Sequence, residues 1–376
     1  MKRYIEAVRR ILKEGEVSFD PRTKTYTIGI SGHQSEYDMR EGFPLLTTKN
    51  VPPRLPFEEL FWKLRGERNV KSLVDNNIHF WTANAFDRYL KTNNLTLSFP
   101  KHSEQWNKAF EEYSKKIAED SEFAKVMGDL GPVYGHQWRH WKKPVLISAH
   151  AGNREWEPES LEIRWVDQLE KLVNGIIKNP NSRYHVLSAW NPGELDEMAI
   201  GPCPFWHQFT VKGDQLDLHM VQRSCDTYLG VPFNIAQDSL LLHMIAKETE
   251  LKPRNYIHTM INAHIYLGVE PRANFWKDQD NVTQFKSRIN ETEKRSDYLD
   301  IKNWYLNIAP EEERGNERKD HIPFVLEQMS KEFRSLPSIT LEDIPFFEAI
   351  KLPVDQVVKV IGYNPHKWDA KAVMSA

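Results

Sequence analysis

The sequence predicts an α+β fold, a mixed β-sheet packed with helices, and three observations carry that expectation. Apolar residues recur at helical spacing at the start of the chain, a strand–turn–strand pattern occupies residues 209–220, and an apolar helical run follows Pro232. In chain order, Ile5, Val8, Ile11 and Leu12 share one face of an amphipathic surface helix. Residues 25–31 read as extended, and a second helix near 57–65 is ended by Gly66. Residues 86–127 are polar and charged and read as an inserted lobe from about 88 to 127. Trp165, Leu169, Leu172, Ile176 and Ile177 form a helical stripe before Asn179-Pro180-Asn181, and 184–190 read as a strand. Phe209 and Val211 alternate ahead of Lys212-Gly213-Asp214, with Leu216, Leu218 and Met220 after it, which is a β-hairpin pattern. Pro232 sits in the first turn of a helix through Ile235, Leu240 and Ile245. Residues 271–335 are again charge-rich, a second insertion, and the tail returns to β-like, aromatic sequence.

Composition removes several function classes. The 376 residues hold 50 Lys+Arg and 53 Asp+Glu, so the net charge is 50 − 53 = −3, which argues against a broadly basic nucleic-acid surface. With 12 Trp, 13 Tyr and 18 Phe the chain is too aromatic for a disordered one. Two cysteines exclude a disulfide scaffold and a Cys₄ zinc site within one chain, and leave each thiol open to a chemical role. No apolar run reaches the length of a transmembrane helix. The start lacks the continuous apolar stretch of a signal peptide, and Glu6 and Glu14 count against a transit peptide, so a cytoplasmic location is expected. The phosphate-loop, dinucleotide-binding and HExxH patterns are absent, as are internal repeats.

The chemistry-bearing residues cluster between 201 and 266. Cys203 lies between two prolines, in rigid extended chain. A nearby cation would make it a thiolate nucleophile, although taken alone it fits a buried structural cysteine as well. Arg223-Ser224 offers a forked cation and a hydroxyl suited to a phosphate; a solvated arginine is the plainer reading. Asn234 caps a helix, or pairs with a uracil edge, which presents both a donor and an acceptor. His264 and Tyr266 alternate along one strand face, where a half-buried pair needs no ligand.

Together these stretches resemble the thymidylate synthase family. The carriers are Gly201-Pro202-Cys203-Pro204, Gln222-Arg223-Ser224-Cys225-Asp226, Leu229-Gly230-Val231-Pro232-Phe233-Asn234-Ile235-Ala236 and His264-Ile265-Tyr266, in family order and spacing. Gly42-Phe43-Pro44-Leu45-Leu46-Thr47-Thr48-Lys49, Asp129 to Gly135, Ser188-Ala189-Trp190-Asn191 and Gly362 to His366 match as well. The resemblance implies one catalytic domain over 1–376, a sheet face forming a homodimer interface, and dUMP and 5,10-methylenetetrahydrofolate as substrate and co-substrate, without a metal. It implies Cys203 as the nucleophile toward C6 of the pyrimidine, Glu59 as the carboxylate that organises proton transfers, and Tyr134 in the water network at C5. Arg22, Arg183, Arg223 and Ser224 match phosphate ligands, Arg183 from the partner subunit. Gln222 falls in the same substrate-binding segment. Asn234 matches the reader of the uracil ring, and His264 with Tyr266 the ligands of the sugar 3′-hydroxyl. Trp81, Ile200, Asp226, Leu229, Gly230 and Phe233 match the folate site, with Asp226 also counted among the catalytic residues.

The sequence departs from the family pattern at a few positions. Pro204 follows the cysteine where the family has His, and Thr82-Ala83-Asn84 lacks the family's second Trp. Asn50 and Pro52 replace basic and His positions, Tyr184 the second Arg of a pair, and Asn262 the Asp before His264. Several of these lie around the folate or the exocyclic methylene. A loosened, wetter site there suggests that water traps the methylene, as in phage-type dUMP hydroxymethylases, giving 5-hydroxymethyl-dUMP. Reductive methylation to dTMP is the alternative expectation, and a non-catalytic binding relative the remote one. Asn234 favours uracil over cytosine, where Asp would match better.

Overall fold

A computed structural model describes residues 1–147 and 160–367, except Arg22, His102 and Glu317, together with Ala372. Its strands are β1 (Glu16–Asp20), β2 (Thr25–Asp38), β3 (Trp141–Ile147), β4 (Ser160–Val166), β5 (Val186–Ser188), β6 (Pro204–Lys212), β7 (Gln215–Gln222), β8 (Cys225–Asp226), β9 (Lys252–Tyr266), β10 (Ser338–Leu341) and β11 (Val358–Ile361). The chain divides into two compact units, Met1–Leu60 with Cys203–Ala376, and Phe61–Pro202.

The first unit is built on a mixed sheet in the order β1-β2-β9-β7-β6. Neighbours are antiparallel except β7 and β9, which run parallel, and β8 extends the pairing along β9. The β6–β7 hairpin turns at Gly213-Asp214 with Gly213 at φ +63, the geometry a two-residue turn demands. Phe209, Leu218, Met220, Tyr256 and Met260 are buried along these strands. The Gly230–Glu248 helix is buried nearly all round, so it runs through the core rather than over it. The Lys2–Glu14 helix buries Tyr4, Ala7, Val8, Ile11 and Leu12, at roughly 1.5–3 kcal/mol for each large side chain. Trp206 and Ile261 are instead exposed. His219 Nε2 lies 2.8 Å from Thr259 Oγ1, which donates to Gln34 Oε1 at 3.1 Å.

Residues 268–319 form an excursion from β9. The chain leaves after Leu267 and returns at Asp320, where Leu267 and Asp320 form an antiparallel bridge and His321 N donates to Tyr266 O at 2.9 Å. Between those points the helices Gln279–Asn290 and Asp297–Ile308 enclose Phe275, Trp276, Phe285 and Tyr305. The charges of these two helices therefore lie on outer faces around an aromatic interior, whereas Glu311-Glu312-Glu313-Arg314 lies in irregular chain after the second helix.

The second unit has the same device. Asn69 and Asp129 form an antiparallel bridge, and Val70 N donates to Gly128 O at 2.9 Å. The excursion it closes holds helices Lys71–Asp75, Thr82–Thr92, Glu104–Glu119 and Ser121–Met127. Ser103 and Asp120 cap the last two, accepting from Trp106 N and Phe123 N. Phe86, Tyr89, Trp106, Phe110 and Tyr113 cluster between them, with ring centroids 5.0–6.0 Å apart.

Several local expectations are corrected here. Trp165 is not on the Gln168–Lys178 helix: Asp167 caps that helix, and Trp165 lies in β4, paired across from Lys142 in β3. Ile177 is exposed rather than part of the buried stripe. The strand expected over 184–190 is only Val186–Ser188, with Tyr184 exposed. The extended segment from Thr25 runs to Asp38, because the stretch from Thr27 to Asp38 pairs with β9.

Candidate active site

Within the first unit the site is assembled around the start of the Gly230–Glu248 helix. Asp226 Oδ1 accepts from Tyr228 N at 3.2 Å and Leu229 N at 3.1 Å, tightening the turn into that helix and placing negative charge near its positive end. A Cβ on Gly230 would lie 3.7 Å from Asp226 Cβ and 3.9 Å from Asn234 Oδ1, so these three positions adjoin. Asn234 Oδ1 is buried and has no hydrogen-bond partner among the described residues. An orphaned amide oxygen costs about 1–3 kcal/mol unless a ligand donor fills it. A ring N–H is such a donor.

Cys203 directly precedes β6. Its carbonyl accepts from Arg223 N at 3.0 Å, which ties the thiol's segment to the Arg223-Ser224 turn. Pro204 opens β6 opposite Gln222, a position at the strand's end that tolerates a missing N–H. Gln222 is buried, and both ends of its amide are engaged. Oε1 faces His258 Nε2 at 2.9 Å, and Nε2 donates to Ser224 O at 3.0 Å. Burial holds His258 down to about 4, so its neutral ring donates to Gln222. The second thiol, Cys225, is fully buried, and burial, with the nearby Cys203 adding to it, pushes its pKa far up. That makes it the inert member of the pair.

Glu59, on the Arg54–Leu64 helix, is buried and accepts from Gln237 Nε2 at 2.6 Å. Asp226 pairs with His264 in the β8–β9 register, and Thr227 N donates to His264 O at 2.9 Å. Gly29 makes room for this arrangement, since a Cβ there would stand 3.1 Å from His264 Cβ. His264 Nδ1 lies 3.0 Å from Asn262 Oδ1, so the residue in the Asp position still holds the ring, without charge. His264 and Tyr266 share a face, with ring centroids 5.3 Å apart and nearly perpendicular. Leu229 and Phe233 are half-buried at the same helix start.

Tyr134, Trp81, Arg183 and Ile200 belong to the second unit. Tyr134 has φ +33, a strained conformation for an aromatic residue. Lys63 Nζ sits over its ring at 4.8 Å, and Trp81 stands edge-on to it at 5.5 Å. Gly135 is required there: a Cβ would fall 1.9 Å from Lys63 O. Arg183 is exposed and Ile200 half-buried. Arg22 lies outside the described residues.

Sequence reasoning passed over Lys49 and Gln237. Lys49 Nζ bonds Tyr228 O and lies 3.8 Å from the centre of the Tyr228 ring, and burial lowers its pKa to about 7. Its place in the Thr47-Thr48-Lys49 match was the available signal; Gln237 offered only its distance of three residues from Asn234. Among the described residues no group of three His, Cys, Asp or Glu side chains is placed to hold a metal ion, and no helix is long and apolar enough to cross a membrane.

Comparison with known proteins bears on the whole chain. The family model described as thymidylate synthase matches residues 2–376. A thymidylate synthase from Mesoplasma florum is 42% identical over 291 residues, 77% of this chain and 90% of that protein. Thymidylate synthases from Mycoplasma genitalium and Listeria monocytogenes are 39% and 38% identical, each over 71% of this chain and over 81% and 82% of their own lengths.

Proposed function

The chain belongs to the thymidylate synthase family, which are folate-dependent pyrimidine C5 methyltransferases, and we propose that it converts dUMP and 5,10-methylenetetrahydrofolate to dTMP and dihydrofolate. The observation that carries the reading within the structure is the buried Oδ1 of Asn234, unpartnered among the described residues, in the first turns of the Gly230–Glu248 helix and adjoining Asp226 across Gly230. On this reading the Cys203 thiolate adds to C6 of the ring, turning C5 into an enolate carbon. Asn234 accepts the ring N3–H and donates to O4, and Arg223 and Ser224 hold the phosphate together with Arg22 and the partner subunit's arginine, which corresponds to position 183. Gln222 orients the Arg223-Ser224 turn, and His264 and Tyr266 take the sugar hydroxyl. Glu59, oriented by Gln237, relays protons, and Tyr134 holds water at C5. Trp81, Ile200, Asp226, Leu229, Gly230 and Phe233 line the folate's place. The folate, when bound, supplies the one-carbon unit and the hydride. The whole chain then acts as a single catalytic domain with its excursions as additions, and the outer sheet face bearing Trp206 and Ile261 supports a homodimer.

A second reading, hydroxymethylation to 5-hydroxymethyl-dUMP, is favoured by Pro204 and by Ala83 in the stretch that lacks the second Trp. The relatives, all named thymidylate synthase at 38–42% identity, favour the methyl product. Mass spectrometry of the nucleotide with absorbance of the folate separates the two. We expect dTMP with one dihydrofolate per turnover; a product heavier by one oxygen, with no dihydrofolate, establishes the second reading instead. Cys203→Ser is expected to lower turnover by roughly 10³-fold or more while dUMP still binds. Wild-type turnover in that variant rules out the nucleophile.

A further inference from the structure

A buried polar pair lies beneath the site and takes part in none of the roles above. His207 on β6 and Asp238 on the Gly230–Glu248 helix are both almost fully buried, with Nε2 and Oδ1 3.0 Å apart. The second carboxylate oxygen of Asp238 accepts from Tyr256 OH on β9 at 3.3 Å. Tyr256 in turn stacks on His258, the residue that holds Gln222. One aspartate thus links the helix to two strands of the sheet.

The placement of this link matters more than its strength. Asp238 stands four residues after Asn234, one turn along the same helix face. His207 stands four residues after Cys203, just past the irregularity in β6 between Pro204 and Trp206. The Asp238–His207 bond therefore joins the helix that carries the ring-reading amide to the strand that follows the thiol, about 6 Å along the helix from Asn234 and about 13 Å along the chain from Cys203. Apolar packing alone lets a strand slide against a helix by fractions of an ångström, whereas a buried carboxylate between two directed donors fixes the offset. Gln237, the residue just before Asp238 on the helix, orients Glu59, so the same turn registers three reacting groups.

We propose that His207 and Asp238 are positioning residues that set the distance between the Cys203 sulfur and the Asn234 amide, and so govern thiolate addition rather than nucleotide binding. This rests on the function proposed above. The test uses the full-length protein with 5-fluoro-dUMP and methylenetetrahydrofolate; fluorine at C5 blocks loss of the C5 substituent, so the Cys203 adduct accumulates and is read by protein mass. dUMP affinity is measured separately by calorimetry. In His207→Phe we expect adduct formation to slow by about tenfold or more, since small misplacements carry such penalties, with dUMP affinity within about threefold of wild type. His207→Gln, which keeps a donor toward Asp238, is expected to recover most of the rate. A wild-type rate in His207→Phe, or equal losses of rate and affinity, overturns the proposal. If His207→Phe is insoluble, Asp238→Asn, which keeps the shape and removes one acceptor, decides it: a wild-type rate there overturns the proposal, and a slow rate at unchanged affinity upholds it. If the wild-type protein itself forms no adduct, the proposed function fails and not the positioning role.

Discussion

The two excursions, 70–128 and 268–319, are alike in design and differ at their roots. Each is a set of helices around an aromatic cluster, closed where it leaves the chain by one antiparallel bridge ending on an aspartate, Asp129 or Asp320. Closing an excursion at its base keeps the ends of the parent fold together, which is why long additions are tolerated. Asp129 is partly accessible and faces Arg68 at 3.0 Å and Arg88 at 3.8 Å, while its Oδ1 accepts from Gly131 N. Asp320 is buried. It accepts from Tyr305 OH at 2.7 Å and Ile322 N at 3.0 Å, and Arg272 Nε stands 3.8 Å away. Arg272 Nε and Nη1 have no hydrogen-bond partner among the described residues, so that ion pair is loose and dry. The surface root depends on screened charge; the buried root depends on desolvated charge, which is costly unless fully matched.

The largest effect is expected from Asp320→Ala at about pH 8, where the carboxylate is ionised: it strips a buried arginine of its counter-charge at a cost of about 3–5 kcal/mol, measured by urea unfolding. His321 follows directly, and its ring meets those of Tyr266 and Tyr228 at 5.4 and 5.3 Å. The variant should therefore also raise KM for the nucleotide. A loss below 1 kcal/mol would mean that the two roots do not differ as described. Tyr305→Phe, which removes one donor to Asp320, should cost about 1–3 kcal/mol with kcat unchanged. Asp129→Ala should cost about 1 kcal/mol, and the Arg68 and Arg88 part of that loss should shrink in high salt.

Acidity sharpens the contrast further. Burial raises the Asp320 carboxyl to about 7 even with Arg272 nearby. In the unfolded chain an aspartate ionises near 4. Between those values the folded protein holds a proton that the unfolded chain has lost. The stability contributed by this group is therefore full below about pH 4 and is lost as pH rises through about 7. Asp320→Asn should flatten that part of the stability profile, and an unchanged profile would refute the assignment. The smallest effect concerns the thiols: native alkylation followed by mass analysis should modify Cys203 and leave Cys225 untouched.

Periodicity made much of the fold legible. The Lys2–Glu14 helix, the β6–β7 hairpin and the helix after Leu229 follow from spacing, because each contains its own pattern within a dozen residues. Trp165 misled, since a large apolar residue one turn ahead of a helix looks like part of its stripe until a capping Asp167 is seen to end the strand before it. The polar runs misled in another way: charge on the outer faces of helices conceals the aromatic interior they share.

Residue identity and order alone determined the family, singled out Cys203, Arg223 and Asn234 as the candidate set, and raised the contrast of product chemistries through Pro204. Those rest on side-chain type, which a sequence states outright. Tertiary structure decided what stands behind the set: that Glu59 meets Gln237 across 178 positions, that His207 meets Asp238 across 31, and that one aspartate root is wet and the other dry. Hydrogen bonds and burial between distant segments leave no local period to read, because they arise only once the sheet and its buried helix have packed.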